Sequence, residues 1–285
     1  MQDKVKEALE QLEQGISKLT SSEEWATWLK AQASFHHYSI NNVILILMQM
    51  PHASRVASYE TWRKLGRWVR KGEKAIAILA PVGFRFNATV IDKDQETGEQ
   101  KERKIRSGAN RFKCVPVFDV SQTDGPPLPK LARQLQGDDD NGLFDQLQAW
   151  SESRGVPVKV EATGSTANGY YDPAGNFIVI SPDLAPVQQV KTLAHEISHS
   201  LLHRDADYRH TRPDCELEAE SVAYVVLHHF GVDSGDYSFG YVAGWQGGGE
   251  KAIKALKATA ANIQKAARDI IDGLEKVADR EAIAA

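Results

Sequence analysis

The stretch best equipped for chemistry runs Thr192-Leu193-Ala194-His195-Glu196-Ile197-Ser198-His199-Ser200-Leu201-Leu202-His203. On a helix, residues four apart stack on one face. His195 and His199 would then offer two imidazoles to a single cation, with Glu196 beside them to hold a metal-bound water. That H-E-x-x-H spacing is the one that binds zinc and activates water for peptide hydrolysis. A five-residue pattern also arises by chance, and Leu193, Ala194, Ile197, Leu201 and Leu202 would suit a helix that merely buries a face. The rest of the chain must decide.

A catalytic zinc takes three protein ligands and keeps a fourth position for water. His203 is eight residues beyond His195, ~12 Å along a helix axis, whereas a ligand bond is only ~2 Å. It reads instead as a helix-end residue in the favourable field of the C-terminus. The segment Cys215-Glu216-Leu217-Glu218-Ala219-Glu220-Ser221-Val222-Ala223 is a second helical pattern. Glu216 and Glu220 lie one turn apart, and Ala219 and Ala223 would let the two helices approach closely. We assign Glu216 as third ligand and Glu220 as the acid that hydrogen-bonds a ligating imidazole and fixes its tautomer. The swapped assignment, or Glu218 as ligand, remains open. Cys215 is expected just before this helix. The plain alternative, a solvated acidic face, is weakened by the apolar continuation Val222 to Val226.

The elements that must hold these groups can be read around them. Leu143 to Ser153 predicts a helix, Val156 to Val160 a strand, and Gly169 to Ile180 a hairpin turning at Asp172–Asn176. Ile178 to Ile180 could serve as an edge strand that pairs with an extended substrate, or as an ordinary strand under the helix. Tyr170, Tyr171, Tyr224 and His228 are candidates for the donor that a developing oxyanion needs. Glu250 to Ala284 is amphipathic and should form a helix packed on this half.

Ahead of all this come helical patterns over 2–20, from a Ser21–Glu24 capping box onward, over 43–49 and from Ser58 to Gly66. Strand-like runs follow at 75–79, 84–91 and 112–120, with a loop tip at Thr97-Gly98. Between Ala53 and Lys113 there are fifteen Lys/Arg against seven Asp/Glu. That local excess of 15 − 7 = +8 sits in a chain of net charge −4, an asymmetry that suggests a polyanion partner. Tyr59, Trp62, Trp68, Phe84, Phe86 and Phe112 are interleaved with it, and rings beside cations suit single-stranded nucleic acid. Arg67, Arg70, Lys71 and Lys74, with Trp68, are the expected contacts. A Lys/Arg run is also commonly a solvated face, and tryptophans at helical spacing are commonly core.

Of 285 residues, 42% are apolar and 25% charged, which fits a soluble globular chain with room for two domains. Cys114 and Cys215 make no disulfide framework and suit a reducing compartment. The longest apolar run, Val43 to Met48, is far short of the ~20 residues that span a bilayer. A cytoplasmic protein without membrane attachment is expected. Asp124-Gly125-Pro126-Pro127-Leu128-Pro129 and Gly137-Asp138-Asp139-Asp140-Asn141-Gly142 are linker-like. They divide the chain into 1–125, a linker over 126–142, and 143–285.

Two resemblances bear on this reading. Phe35-His36-His37-Tyr38-Ser39-Ile40-Asn41-Asn42, the run Tyr59 to Pro81, and Val117-Phe118-Asp119-Val120-Ser121-Gln122-Thr123 together resemble the ArdC-like single-stranded-DNA-binding domain. Thr192 to His203 and Glu216 to Ala223 resemble the two motifs of ImmA/IrrE-type metallopeptidases. One departure is visible, since Glu220 stands where many such domains carry an amide. The resemblance implies an antirestriction protein of plasmid or mobile-element type. In it, an N-terminal module for single strands would be joined to a gluzincin-like zinc peptidase acting on a protein or peptide.

The expected architecture is therefore α+β. N-terminal helices with a small antiparallel sheet precede a zincin-like domain, which carries the His-Glu helix and ends in a C-terminal helix. The expected chemistry is peptide-bond hydrolysis at Zn2+ held by His195, His199 and Glu216, with Glu196 as general base. The competing expectation is a DNA-binding protein whose zinc site is structural.

Overall fold

The computed structural model describes residues 2–19, 22–93, 100–128, 142–164, 166–204, 208–232 and 250–284. Expectations for Ser21, the Thr97-Gly98 tip and most of the linker lie outside these residues.

Three helices open the chain: α1 (Gln2–Lys18), α2 (Ser22–Ser34) and α3 (Ile40–Gln49). Trp25 and Trp28 on α2 are fully buried, their ring centroids 4.8 Å apart. They are core, as helical spacing favours. A short strand β1 (Val56–Ala57), helix α4 (Tyr59–Lys64) and strand β2 (Trp68–Val69) lead to a long hairpin. Its strands β3 (Ile76–Lys93) and β4 (Gln100–Asp119) pair antiparallel from Ile76↔Val117 to Lys93↔Gln100. The strand-like runs predicted as three pieces are thus two continuous strands. A 3-10 turn (Val120–Gln122) and strand β5 (Thr123–Asp124) close this half, β5 pairing with β2.

The end of the Phe35–Asn42 run acts here as a clamp on the sheet edge. Asn42 Nδ2 donates to the Leu79 carbonyl and its Oδ1 accepts from the Leu79 N–H, both at 2.9 Å. Gln49, two turns on, makes the same double bond to Ala77 at 2.9 Å each. Two amides at i and i+7 on α3 therefore satisfy alternate residues of β3, whose edge groups would otherwise invite another strand. Tyr38 Oη donates to the Val56 carbonyl.

The second half comprises α5 (Leu143–Ser153), β6 (Val158–Val160), β7 (Gly169–Asp172), β8 (Phe177–Ile180), α6 (Pro186–Leu202), α7 (Tyr208–His229) and α8 (Glu250–Ala284). The small sheet runs β6-β8-β7, with β6 parallel and β7 antiparallel to β8. Of the two readings open for Ile178–Ile180, the ordinary strand under the helix is the one found: it is the fully buried central strand, as its unbroken apolar run requires when both faces are covered. Among the described residues the outer antiparallel strand is β7.

Helix α7 packs between α6 and α8. Cys215, expected ahead of it, lies within α7 and is buried. Helix α8 packs on α5 and α7 and also reaches α3. The halves share one continuous apolar core. Across it Trp25 Nε1 donates to Ser221 Oγ at 3.2 Å, His229 Nδ1 sits 2.9 Å from the Ala33 carbonyl, and Gln264 Nε2 donates to the Tyr38 carbonyl. No helix among the described residues is long and apolar enough to cross a membrane.

Candidate metal centre and candidate nucleic-acid interface

Helix α6 begins with Pro186, whose fixed φ suits a first turn. It carries His195 and His199 on the face that meets α7, which carries Glu216. His195 Nε2 lies 3.0 Å from His199 Nε2 and 3.4 Å from Glu216 Oε2, and His199 Nε2 lies 3.8 Å from the same oxygen. A tetrahedral ion with bonds of ~2.0–2.1 Å separates its ligands by roughly 3.3–3.5 Å. This triangle is of that size, and the three donors are grouped so that one metal ion could be held. The side chain of Glu216 is 42% exposed, so the ion would be reachable from solvent, unlike the closed shell of a structural zinc.

Each imidazole is braced from behind. His195 Nδ1 faces Glu220 Oε2 at 3.2 Å, and Lys191 Nζ holds the other Glu220 oxygen at 2.9 Å. His199 Nδ1 faces His203 Nδ1 at 2.9 Å, His203 Nε2 faces Glu218 Oε2 at 3.0 Å, and Asn262 Nδ2 donates to Glu218 Oε1 at 2.9 Å. His203 does close the helix, as its C-cap, yet it is buried with a partner on either side. Glu218 meets that histidine and stands outside the group of three donors. Lys191 has no role in the motif reading, and His203 has one only as a helix-end residue. Their signal was periodicity, since 191, 195, 199 and 203 repeat at four and share a helix face.

Electrostatics follow from this packing. Burial draws His195 down, but the carboxylates of Glu216, Glu220 and Glu196 outweigh it and hold the ring up at about 9. Burial keeps His199 below its ordinary value. Glu216 is held well below the carboxylate range by the His195 and His199 imidazoles. Burial raises Glu220, yet His195 and Lys191 bring it below its ordinary value. Glu196 behaves differently: it is only 8% exposed, and burial pushes it up to about 7 against the pull of His195 and a Tyr171 backbone bond.

A cleft of about 260 Å³ opens beside these groups, lined by Asn168 and Gly169 from the β7 side and by Lys191, His195, Glu196 and Glu220. Gly169 allows the close approach: a Cβ there would lie 2.7 Å from the Val179 carbonyl oxygen and 2.8 Å from Thr192 Cγ2.

The basic residues of the first half are not brought together in the way expected. Arg67 is 8% exposed. Its Nε donates to Thr123 Oγ1 at 2.8 Å and Nη2 to the Thr123 carbonyl at 2.9 Å, while Nη1 serves the carbonyls of Gly125 and Pro126. This guanidinium knits β2 to β5 and is turned away from any external partner. Trp68 is 57% exposed, and Arg70, Lys71 and Lys74 are also on the surface. Arg70 is engaged by Glu73 at 2.8 Å, Asp124 at 3.4 Å and the Ser121 carbonyl.

Fold and site together define an α+β protein with a candidate metal centre on a His-Glu helix. Residues 1–118 match the family described as the N-terminal domain of anti-restriction factor ArdC, and residues 152–227 match the IrrE N-terminal-like domain of the M78 peptidase family. The first stretch of the chain is thus similar to an ArdC-type N-terminal domain and a later stretch to an IrrE-like domain. The chain is 28% identical to an uncharacterized protein of Bacillus anthracis over 97% of this chain, and spans about half (52%) of that relative's length. It is similar to the metal-free crystal structure of the antirestriction ArdC protein of the R388 plasmid, with 25% identity, a TM-score of 0.50, and coverage of 84% of this chain and 86% of that one. The Mn(II)-bound structure of the same plasmid protein shares the fold at 21% identity and a TM-score of 0.55, over 92% and 97% of the two chains.

Proposed function

We propose that this chain is a metal-dependent peptidase of the antirestriction type, brought to its target by a module that binds single-stranded DNA. The observation carrying the first part is Glu196: a buried carboxyl held at about 7, beside three donors spaced for one ion. A site that only stabilised the fold would have no use for it.

His195, His199 and Glu216 would hold the ion, and imidazole with carboxylate suits zinc. When bound there, the ion supplies Lewis acidity and a water of lowered pKa. The remaining work falls to the chain. Glu196, buried beside the three donors, is placed to accept a proton from the attacking water and return it to the leaving amine. Glu220 and His203 hold the two imidazoles by their Nδ1 atoms, leaving Nε2 of each for the cation. Strand β7, outermost in its sheet and bordering the cleft, offers backbone groups to an extended peptide. For DNA, exposed Trp68 supplies a stacking ring, and Lys71 and Lys74, with Arg70, supply positive charge.

The test is Glu196→Gln in the full chain, assayed for bound metal, affinity for an oligo(dT) strand, and single-strand-dependent cleavage of a co-purifying protein. Cleavage should fall by about 10²–10⁴-fold, with metal and DNA affinity kept. Full antirestriction activity in that variant would overturn the catalytic reading and leave a DNA-binding protein with a structural metal site.

A further inference from the structure

A second group of ligating side chains lies away from this centre, where the first half of the chain meets α8. His36 and His37 sit in the turn between α2 and α3, and Asp272 lies on α8. One ligand atom from each falls within 4.8 Å of the others. Asp272 Oδ1 is 3.7 Å from His36 Nε2 and 3.9 Å from His37 Nε2. Those spacings are too long for hydrogen bonds and near the separation of two ligands on one transition ion. The second Asp272 oxygen faces Arg268 Nε at 3.4 Å, so Oδ1 is the atom left to the imidazoles.

The independent observation is His36 itself. It is 6% exposed, and neither ring nitrogen has a hydrogen-bond partner. Leaving a buried polar group unsatisfied costs about 1–3 kcal/mol, a cost that an ion bound at Nε2 would remove for that nitrogen. Packed against His36, His229 (ring centroids 4.8 Å apart) is taken up by Glu275 Oε1 at 3.1 Å and the Ala33 carbonyl. His37 and Asp272 remain partly exposed, with side-chain accessibilities of 56% and 26%, so an ion has a way in and solvent can complete its coordination.

We propose that His36, His37 and Asp272 form a second site for a divalent transition-metal ion, which clamps the α2–α3 turn to α8 and so ties the two halves together. Two imidazoles and one carboxylate favour Zn2+ or its neighbours over Mg2+ or Ca2+. The site uses none of the groups around Glu196.

The experiment is a Zn2+ titration of the full-length, chelator-stripped protein, with a weak competing chelator present to suppress binding at surface histidines. Wild type should take up two equivalents. His37→Ala and Asp272→Asn, both at accessible positions, should each take up one, with affinity for the lost equivalent weakened by more than about 100-fold and an unchanged circular dichroism spectrum. Glu216→Ala should lose the other equivalent alone, which keeps this proposal separable from the catalytic one. A single equivalent in wild type that Glu216→Ala abolishes, or two retained in both His37→Ala and Asp272→Asn, would overturn it.

Discussion

The Nδ1 atoms of His199 and His203 lie 2.9 Å apart. Two facing ring nitrogens can share only one proton. If His199 gives Nε2 to a cation, its Nδ1 must carry the hydrogen, and His203 Nδ1 must accept it. His203 then carries its own hydrogen on Nε2, which meets Glu218 Oε2 at 3.0 Å. One consistent set of tautomers runs from the metal face of α6 to α8.

His203→Ala should therefore weaken metal binding by about 10–100-fold, the usual cost of losing an outer-shell partner, although no ligand is touched. Competition with a chromophoric chelator measures it. Affinity equal to wild type would show that His203 only fills the helix end.

Gly169→Ala tests the closeness of β7 and α6. Its methyl would meet a backbone oxygen and a β-branched side chain at under 3 Å, neither of which can swing away. A loss of about 1–3 kcal/mol in denaturant unfolding is expected, together with reduced cleavage as the cleft wall shifts. Unaltered stability would mean that the strand has slack.

The surface of β2 should separate ligand contacts from scaffold. Trp68→Ala should cost about 1–3 kcal/mol in oligo(dT) binding, and Lys71→Glu with Lys74→Glu should weaken binding and flatten its salt dependence. Arg67→Ala should instead lower the unfolding midpoint, because it strands the Thr123, Gly125 and Pro126 acceptors. Fluorescence anisotropy at several salt concentrations, beside thermal melts, distinguishes the two outcomes.

Asp119 supplies a pH signature. Burial raises its pKa, but N–H donors from Ser121, Arg55 and Ser54 outweigh it and hold the carboxylate below its ordinary 3.8. A depressed folded value stabilises the protein above the unfolded pKa, and that contribution disappears as pH falls through the folded one. Asp119→Asn should thus destabilise by about 1–3 kcal/mol at neutral pH. The gap from wild type should close only in strong acid, below about pH 4. A gap that closes between pH 7 and 5 would contradict this.

What the amino-acid order determined unaided was which side chains, three or four apart, share one face of a helix. The face shared by His195 and His199, the pairing of Glu216 with Glu220, and the burial of Trp25 and Trp28 all follow from helical period. Tertiary structure alone decided the rest. Helix crossing set Glu218 on His203, and strand order put Ile178–Ile180 at the centre of its sheet. The turn after β5 drew Arg67 inward, and the docking of α8 brought Asp272 to His36 and His37. The physical reason is range. A backbone hydrogen-bond ladder relates neighbours at fixed offsets, whereas a contact across hundreds of residues exists only once whole elements have packed.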